Sequence, residues 1–274
     1  MKTYQIPVPT FDLGHTLRCG QVFRWRENKD GWISIVENSV IKAKQEGNLL
    51  IVESDLATED IMNYFRLNDD LDDIYKHISK VMNEAIARYR GMRLIRQEPW
   101  ECLISYICSI NNRIPQIERM IQNLSTCFGE EICDGFYSFP SPERLVKATC
   151  SELKKCKLGF RVDWTLDIAR KVCREELQLE KLKNMDYQSA KRELLKVNGV
   201  GDKVADCVLL YSLDKLEAFP VDVHIRRVVQ REYLRNERAS DTEIREWAER
   251  YFGKYAGYAQ QYLFYYEYER PKEV

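Results

Sequence analysis

Between residues 22 and 52 the chain runs in short apolar stretches with alternating polar positions, and the stretches 22–26, 32–36, 40–44 and 49–52 predict β-strands. They are separated by Asn28-Lys29-Asp30-Gly31, Glu37-Asn38 and Glu46-Gly47-Asn48, turn-forming sequences that make an antiparallel meander the expected arrangement. From Thr58 the period changes. Ile61, Tyr64 and Phe65, then Leu71, Ile74 and Ile78, recur at helical spacing, and helical patterns continue along the rest of the chain. Capping chemistry marks several starts: Ser141 precedes Pro142, Thr149 stands three before Glu152, and Ser240 three before Glu243. No internal repeat, low-complexity tract or long linker interrupts the pattern. The expected architecture is α+β: an N-terminal antiparallel sheet with flanking helices over 1–90, packed against a mainly α-helical domain over 91–274.

Composition narrows the class. Of 274 residues, 45% are hydrophobic and 31% charged, a balance that excludes disordered and fibrous chains. No apolar run reaches the roughly 18 residues of a membrane span, and the first residues lack the basic start and apolar block of a secretion signal. Nine cysteines, at 19, 102, 108, 127, 133, 150, 156, 173 and 207, form no C-x-x-C pair, which argues against a disulfide framework or a zinc ribbon and suits a reducing cytoplasm. His15, His77 and His224 have no metal-ligand spacing and no phosphate-cradling G-x-x-x-x-G-K-[ST] occurs, so neither a metal nor a cofactor is expected. Lys plus Arg number 42 against 43 Asp plus Glu, a net charge of -1. Any nucleic-acid binding must therefore come from local placement of charge and backbone N–H groups.

The chemistry concentrates in one helical hairpin. Residues 187–197 and 203–213 carry amphipathic helix patterns joined by Asn198-Gly199-Val200-Gly201-Asp202. Gly199 and Gly201 permit positive φ and close approach by another backbone, and the second helix starts with unpaired N–H groups suited to a phosphate. An ordinary αα-hairpin uses glycine for the same steric reason, so the glycines alone leave both readings open. Lys203 lies in the first turn of the second helix, where the macrodipole disfavours a cation. Stability does not call for a lysine there; an active site can, because a sheltered amine is a nucleophile for carbon, although a solvated lysine pointing outward fits the residue in isolation equally well. Downstream, in Phe219-Pro220-Val221-Asp222-Val223-His224, Asp222 precedes a helical run. It is expected as an N-cap, a role compatible with stabilising a developing cation beside it.

The stretch Val197-Asn198-Gly199-Val200-Gly201-Asp202-Lys203-Val204-Ala205-Asp206-Cys207, followed by Pro220-Val221-Asp222-Val223-His224, resembles the helix-hairpin-helix DNA glycosylase superfamily, and specifically its 8-oxoguanine DNA glycosylase/AP lyases of bacterial type. Further runs match that family in the same order: Arg18-Cys19-Gly20-Gln21-Val22-Phe23-Arg24-Trp25, Arg96 to Leu103, Ile107-Cys108-Ser109-Ile110-Asn111-Asn112, Gly159-Phe160-Arg161 and Tyr255-Ala256-Gly257-Tyr258-Ala259-Gln260. The resemblance implies a helix-hairpin-helix glycosylase domain acting on duplex DNA that contains 8-oxoguanine, with the target nucleotide turned out of the helix. A monomer is expected, since one enzyme closes around one bent duplex.

By the same resemblance, Lys203 attacks the deoxyribose C1′ and forms a Schiff base that permits β-elimination, while Asp222 steadies the sugar cation. Gly199, Gly201 and His224 hold phosphates. Phe264 and Cys207 wall the flipped purine, Gln260 bonds its edge, and the Gly20 carbonyl accepts from N7–H, a hydrogen that 8-oxoguanine has and guanine lacks. Asn111 and Asn112 fill the vacated stack, Phe160 is the wedge, and Arg161 reads the opposite cytosine. The sequence departs from the animal pattern at Gln116, where a second arginine reads that cytosine, so a looser opposite-base preference is expected. Two other functions fit parts of the pattern: a non-catalytic helix-hairpin-helix DNA-binding protein in which Lys203 contacts only phosphate, and a monofunctional alkylbase glycosylase, which uses the same aspartate without the lysine.

Overall fold

A computed structural model describes residues 1–236 and 238–270. The N-terminal part is a five-stranded antiparallel sheet of order β1-β5-β4-β3-β2, built from β1 (Lys2–Pro7), β2 (Arg26–Asn28), β3 (Gly31–Val36), β4 (Ser39–Glu46) and β5 (Leu49–Ser54). Ile41 and Ala43 of β4 and Leu50 and Val52 of β5 alternate toward one face, where they pack on Ile61 and Phe65 and on Leu13 and Leu17. These come from α2 (Thr58–Tyr64) with the residue after it, and from α1 (Leu13–Arg18). The meander of β3, β4 and β5 forms where the alternation predicts it.

Two strand expectations are corrected. Residues 22–25 are not strand; only Arg26 of that stretch enters β2. Phe23 is buried in the helical core, Arg24 pairs with Glu101 at 2.9 Å, and Trp25 Nε1 donates to the Tyr64 hydroxyl at 2.8 Å. Side-chain packing at the seam between sheet and helices overrides the strand propensity. Conversely, β1 is absent from the sequence expectation because only Ile6 in it is buried. It is a strand through pairing with distant β5, Lys2 opposite Ser54 and Pro7 opposite Leu49.

The helical part comprises α3 (Leu71–Arg88), α4 (Pro99–Cys108), α5 (Ile114–Phe128), α6 (Pro142–Val146), α7 (Cys150–Lys155), α8 (Arg161–Cys173) and α9 (Leu179–Lys183). Beyond them lie α10 (Tyr187–Leu195), α11 (Asp202–Ser212), α12 (Val223–Val228), α13 (Asp241–Phe252) and α14 (Ala256–Tyr268), with a small two-stranded ribbon at Glu131–Cys133 and Phe136–Tyr137. Ser141 caps α6, and Thr149 and Ser240 form capping boxes at α7 and α13, as their spacing predicts. Residues Ile74, Tyr75, Ile78 and Met82 of α3 belong to the helical core rather than to the sheet's core. Helix α4 lies at the centre, with every residue from Cys102 to Cys108 buried. None of the described helices is long and apolar enough to cross a membrane.

One buried amide joins the two parts. Gln21 is fully buried; its Nε2 donates to the carbonyls of Thr16 at 2.9 Å and Arg93 at 2.8 Å, and its Oε1 accepts from Ile95 N at 2.8 Å. Its own carbonyl accepts from Gln97 Nε2 at 2.8 Å and from the Tyr106 hydroxyl at 3.2 Å. Truncation would strand buried carbonyls and an N–H in a dry interior, each with its own desolvation penalty. Gln21→Ala is expected to cost about 2–4 kcal/mol in urea unfolding, and a loss below about 0.5 kcal/mol would mean that the seam is held elsewhere.

Candidate active site

Helices α10 and α11 meet in the expected hairpin. Gly199 has φ +85°, and a Cβ on it would fall 2.6 Å from Trp164 of α8, so both the turn and the packing require glycine. Gly201 departs from expectation: its φ is −97°, it caps α11, and no atom lies within 4 Å of the Cβ position. What it leaves is open space over the start of α11. The hairpin is stapled from beneath by Lys191, whose Nζ lies 2.8 Å from fully buried Asp206 and 3.2 Å from Asp202. Burial pushes the Asp206 carboxyl upward, against the lowering influence of Lys191.

Lys203 emerges half-buried from the first turn of α11. Its Nζ donates to Ser109 Oγ at 2.7 Å and sits 5.0 Å from the centroid of the Tyr106 ring. Tyr106 is itself stacked on Tyr211, centroids 5.4 Å apart and planes 7° from parallel. Asp222 caps α12 as expected: one carboxylate oxygen accepts from His224 N at 3.0 Å and Ile225 N at 2.8 Å. Cys207 lies within the electrostatic reach of both, Lys203 favouring its thiolate and Asp222 opposing it. Burial dominates and pushes the Cys207 thiol up to about 12, so it faces the site as a small uncharged group.

A second cluster stands on α14. Phe264 is half-buried and stacks on Tyr268 at 5.8 Å, with the His224 ring edge-on at 5.7 Å. A Cβ on Gly20 would come 3.2 Å from Phe264 Cε1 and 2.9 Å from Ile114 Cδ1, which places Gly20 directly against the Phe264 ring. Among the described residues no N–H or O–H donates to the Gly20 carbonyl, whereas those on either side are taken, Cys19 by Gln261 and Gln21 by Gln97. Gln260 is buried, with its Oε1 3.5 Å from the Tyr211 hydroxyl. The series Gln260, Tyr211, Tyr106, Lys203 thus runs continuously beneath the site.

The remaining expected residues form a rim. Asn111 is exposed with φ +50°; Asn112 is half-buried and bonds back to the Cys108 carbonyl at 3.2 Å. Phe160 is 54% exposed, packed edge-on against Trp164 at 5.2 Å. Arg161 is 4% exposed, its guanidinium 4.3 Å from the Phe160 ring. It donates to the carbonyls of Leu158 and Ile110, so in this conformation it ties the Phe160 turn to the loop of Asn111 rather than pointing outward. Residues 109–114 therefore touch all three clusters: Ser109 contacts Lys203, Ile110 accepts from Arg161, and Ile114 faces Gly20. Sequence reasoning gave Tyr106, Ser109 and Tyr211 no role, because nothing in their local spacing marks them.

Gly20→Ala would force an L side chain into a left-handed conformation at φ +79° and against Phe264. Urea titration is expected to show a loss of about 1–2 kcal/mol. Gly201→Ala, open and at negative φ, should stay within about 0.5 kcal/mol of the parent; equal losses at both positions would contradict this assignment.

Comparison with known proteins agrees along the whole chain. Residues 3–103 match the model of the 8-oxoguanine DNA glycosylase N-terminal domain, and residues 104–254 that of the HhH-GPD superfamily base excision DNA repair protein. A probable N-glycosylase/DNA lyase of Methanothermobacter thermautotrophicus is 32% identical over 95% of this chain and 94% of its own length. The structure of MBOgg1 in complex with a low affinity DNA ligand superposes with a TM-score of 0.93 at 40% identity, covering 98% of this chain and 96% of that one. The Clostridium acetobutylicum 8-oxoguanine glycosylase/lyase, solved with dsDNA containing cytosine opposite to 8-oxoG, superposes at 0.91 with 31% identity over 98% of each chain. With family models covering both halves and a relative above 30% identity along nearly the full length, the chain belongs to the HhH-GPD superfamily of base excision DNA repair proteins, in the branch that carries the 8-oxoguanine DNA glycosylase N-terminal domain.

Proposed function

We propose that this protein is a bifunctional base excision repair glycosylase that removes 8-oxoguanine from duplex DNA and cleaves the strand through a lysine Schiff base. The observation that carries the reading is the half-buried Lys203 amine, held by Ser109 at the start of α11 and acting, together with the helix-capping Asp222 carboxylate, on the uncharged Cys207 thiol. In the proposed reaction Lys203 Nζ bonds to C1′ as the bond from C1′ to the base nitrogen breaks. Asp222, pinned by two backbone N–H groups, faces the positive charge that develops on the sugar. Loss of the ring C–O bond gives the Schiff base, which acidifies C2′ so that the 3′ phosphate leaves by β-elimination.

The proposed base pocket joins the second cluster to Cys207. Phe264 and Cys207 are uncharged surfaces for a flipped purine, Gln260 offers an amide to its edge, and the free Gly20 carbonyl supplies an acceptor for N7–H. Guanine would bring a lone pair to that carbonyl instead, so one acceptor separates lesion from normal base. Phe160 and Asn111, both exposed, are assigned to the stack that the nucleotide leaves. The hairpin turn at Gly199 and Gly201, with His224, is assigned to phosphates, and one chain is assigned to each lesion. Arg161 and Asn112 would have to exchange their present protein partners for the orphaned base.

Borohydride trapping on an 8-oxoguanine duplex is expected to yield a covalent adduct that Lys203→Gln abolishes. Asp222→Asn, which keeps the cap, should slow base excision about 10²–10³-fold. Duplex binding without any adduct from the parent protein would instead favour a DNA-binding role in which Lys203 only contacts phosphate. Excision opposite each of the four bases provides a separate check. With Gln116 exposed on α5 in place of a second arginine, cytosine preference should be about tenfold shallower than in the animal enzymes. A preference equally steep would remove Gln116 from the account.

A further inference from the structure

We infer that Ser109 is a positioning residue for the nucleophile: its hydroxyl accepts a hydrogen bond from Lys203 and fixes the direction from which the amine meets the sugar. Among the described residues Ser109 Oγ is the hydrogen-bond partner of Lys203 Nζ, at 2.7 Å, and no carboxylate lies within 4.0 Å of that nitrogen. Ser109 also lies 2.6 Å from the Tyr106 carbonyl, and a carbonyl can only accept. The single hydroxyl proton is therefore spent on Tyr106, and Lys203 meets a lone pair. The amine must donate, whatever its protonation state. A nitrogen with one N–H directed at Ser109 and one side against the Tyr106 ring has lost most of the freedom of its flexible stem.

The support for this bracket is rigid. Ser109 ends α4, whose last turn is wholly buried, and its N–H bonds the carbonyls of Ser105 at 3.1 Å and Tyr106 at 3.2 Å. Tyr106 is clamped between the Tyr211 ring and the Gln21 carbonyl. An amine on a surface lysine samples many rotamers, whereas here helix α4 delivers an acceptor and an aromatic face to one point. Holding a reacting nitrogen in a near-attack geometry affects the chemical step more than binding, because the Ser109 hydroxyl is turned to the Tyr106 carbonyl and the Lys203 amine and is assigned no DNA contact of its own.

The inference rests on Lys203 being the nucleophile, and the test separates the two. Single-turnover excision of 8-oxoguanine and borohydride trapping are measured for the parent, Ser109→Ala, Ser109→Thr and Lys203→Gln, with duplex affinity measured in parallel. Ser109→Ala is expected to slow excision about 10–100-fold while the dissociation constant for the duplex stays unchanged. Ser109→Thr, which retains the hydroxyl, should recover most of the rate. Excision by Ser109→Ala at the parental rate overturns the proposal, as does Ser109→Thr being as slow as Ser109→Ala. If Lys203→Gln still traps an adduct, the nucleophile assignment itself fails, independently of Ser109. Should Ser109→Ala not fold, Ser109→Cys carries the same test, because a thiol is a far weaker acceptor and the same loss is expected.

Discussion

The burial of α4 is the constraint on which the site depends. Its residues from Cys102 to Cys108 are apolar or small and are covered on all sides, so the helix has no freedom to shift without opening the core. Everything attached to its C-terminal end inherits that rigidity. Ser109 and Tyr106 fix the Lys203 amine, the Ile110 carbonyl holds Arg161, and Ile114 at the start of α5 confines Gly20. A buried helix ending at the surface is thus the common reference for the Lys203 amine, the rim around Arg161 and the contact of Gly20 with Phe264.

The N-terminal sheet acts on the site through the seam rather than by contact with the chemistry. Gln21 secures the segment immediately after Gly20, and the chain before it is held by Gln261 on α14 through the Cys19 carbonyl. The Gly20 carbonyl is consequently left unpaired between two satisfied neighbours. A free backbone acceptor beside an aromatic ring would be costly in a closed core, and in the proposed function it is the acceptor that meets the lesion's N7–H. A cluster of charge reinforces the same seam. Asp214, beyond the end of α11, pairs with Arg66 and with Arg96 at 2.7 Å, and although burial pushes its carboxyl upward, these arginines and Lys183 hold it below the usual carboxylate range.

The overall charge of -1 and the DNA-bound relatives are compatible because the attractive features are local. In the proposed function the open backbone at Gly201, the start of α11 and the exposed Phe160 would act over short distances and need no basic field. Asp202 and Asp206, on the second helix of the hairpin, share Lys191 from within, with Arg245 3.7 Å from Asp202.

The sequence by itself determined whatever depends on neighbours within one element: the β3 to β5 meander, the caps at Ser141, Thr149 and Ser240, the α10–α11 hairpin and the helix-capping role of Asp222. Periodicity and capping act over a few residues, so they are legible without coordinates. The resemblance added the family and named the expected site residues. Only the tertiary structure decided how those residues meet. β1 exists through a partner some fifty positions away, residues 22–25 gave up strand geometry for packing at the seam, and Gly20 finds Phe264 across nearly the whole chain. Ser109 and Lys203 are separated by 94 positions, and no local rule marks a serine at a helix end as the acceptor for a distant lysine. Such contacts are fixed by how buried surfaces fit together, and that fit is a property of the whole core rather than of any segment.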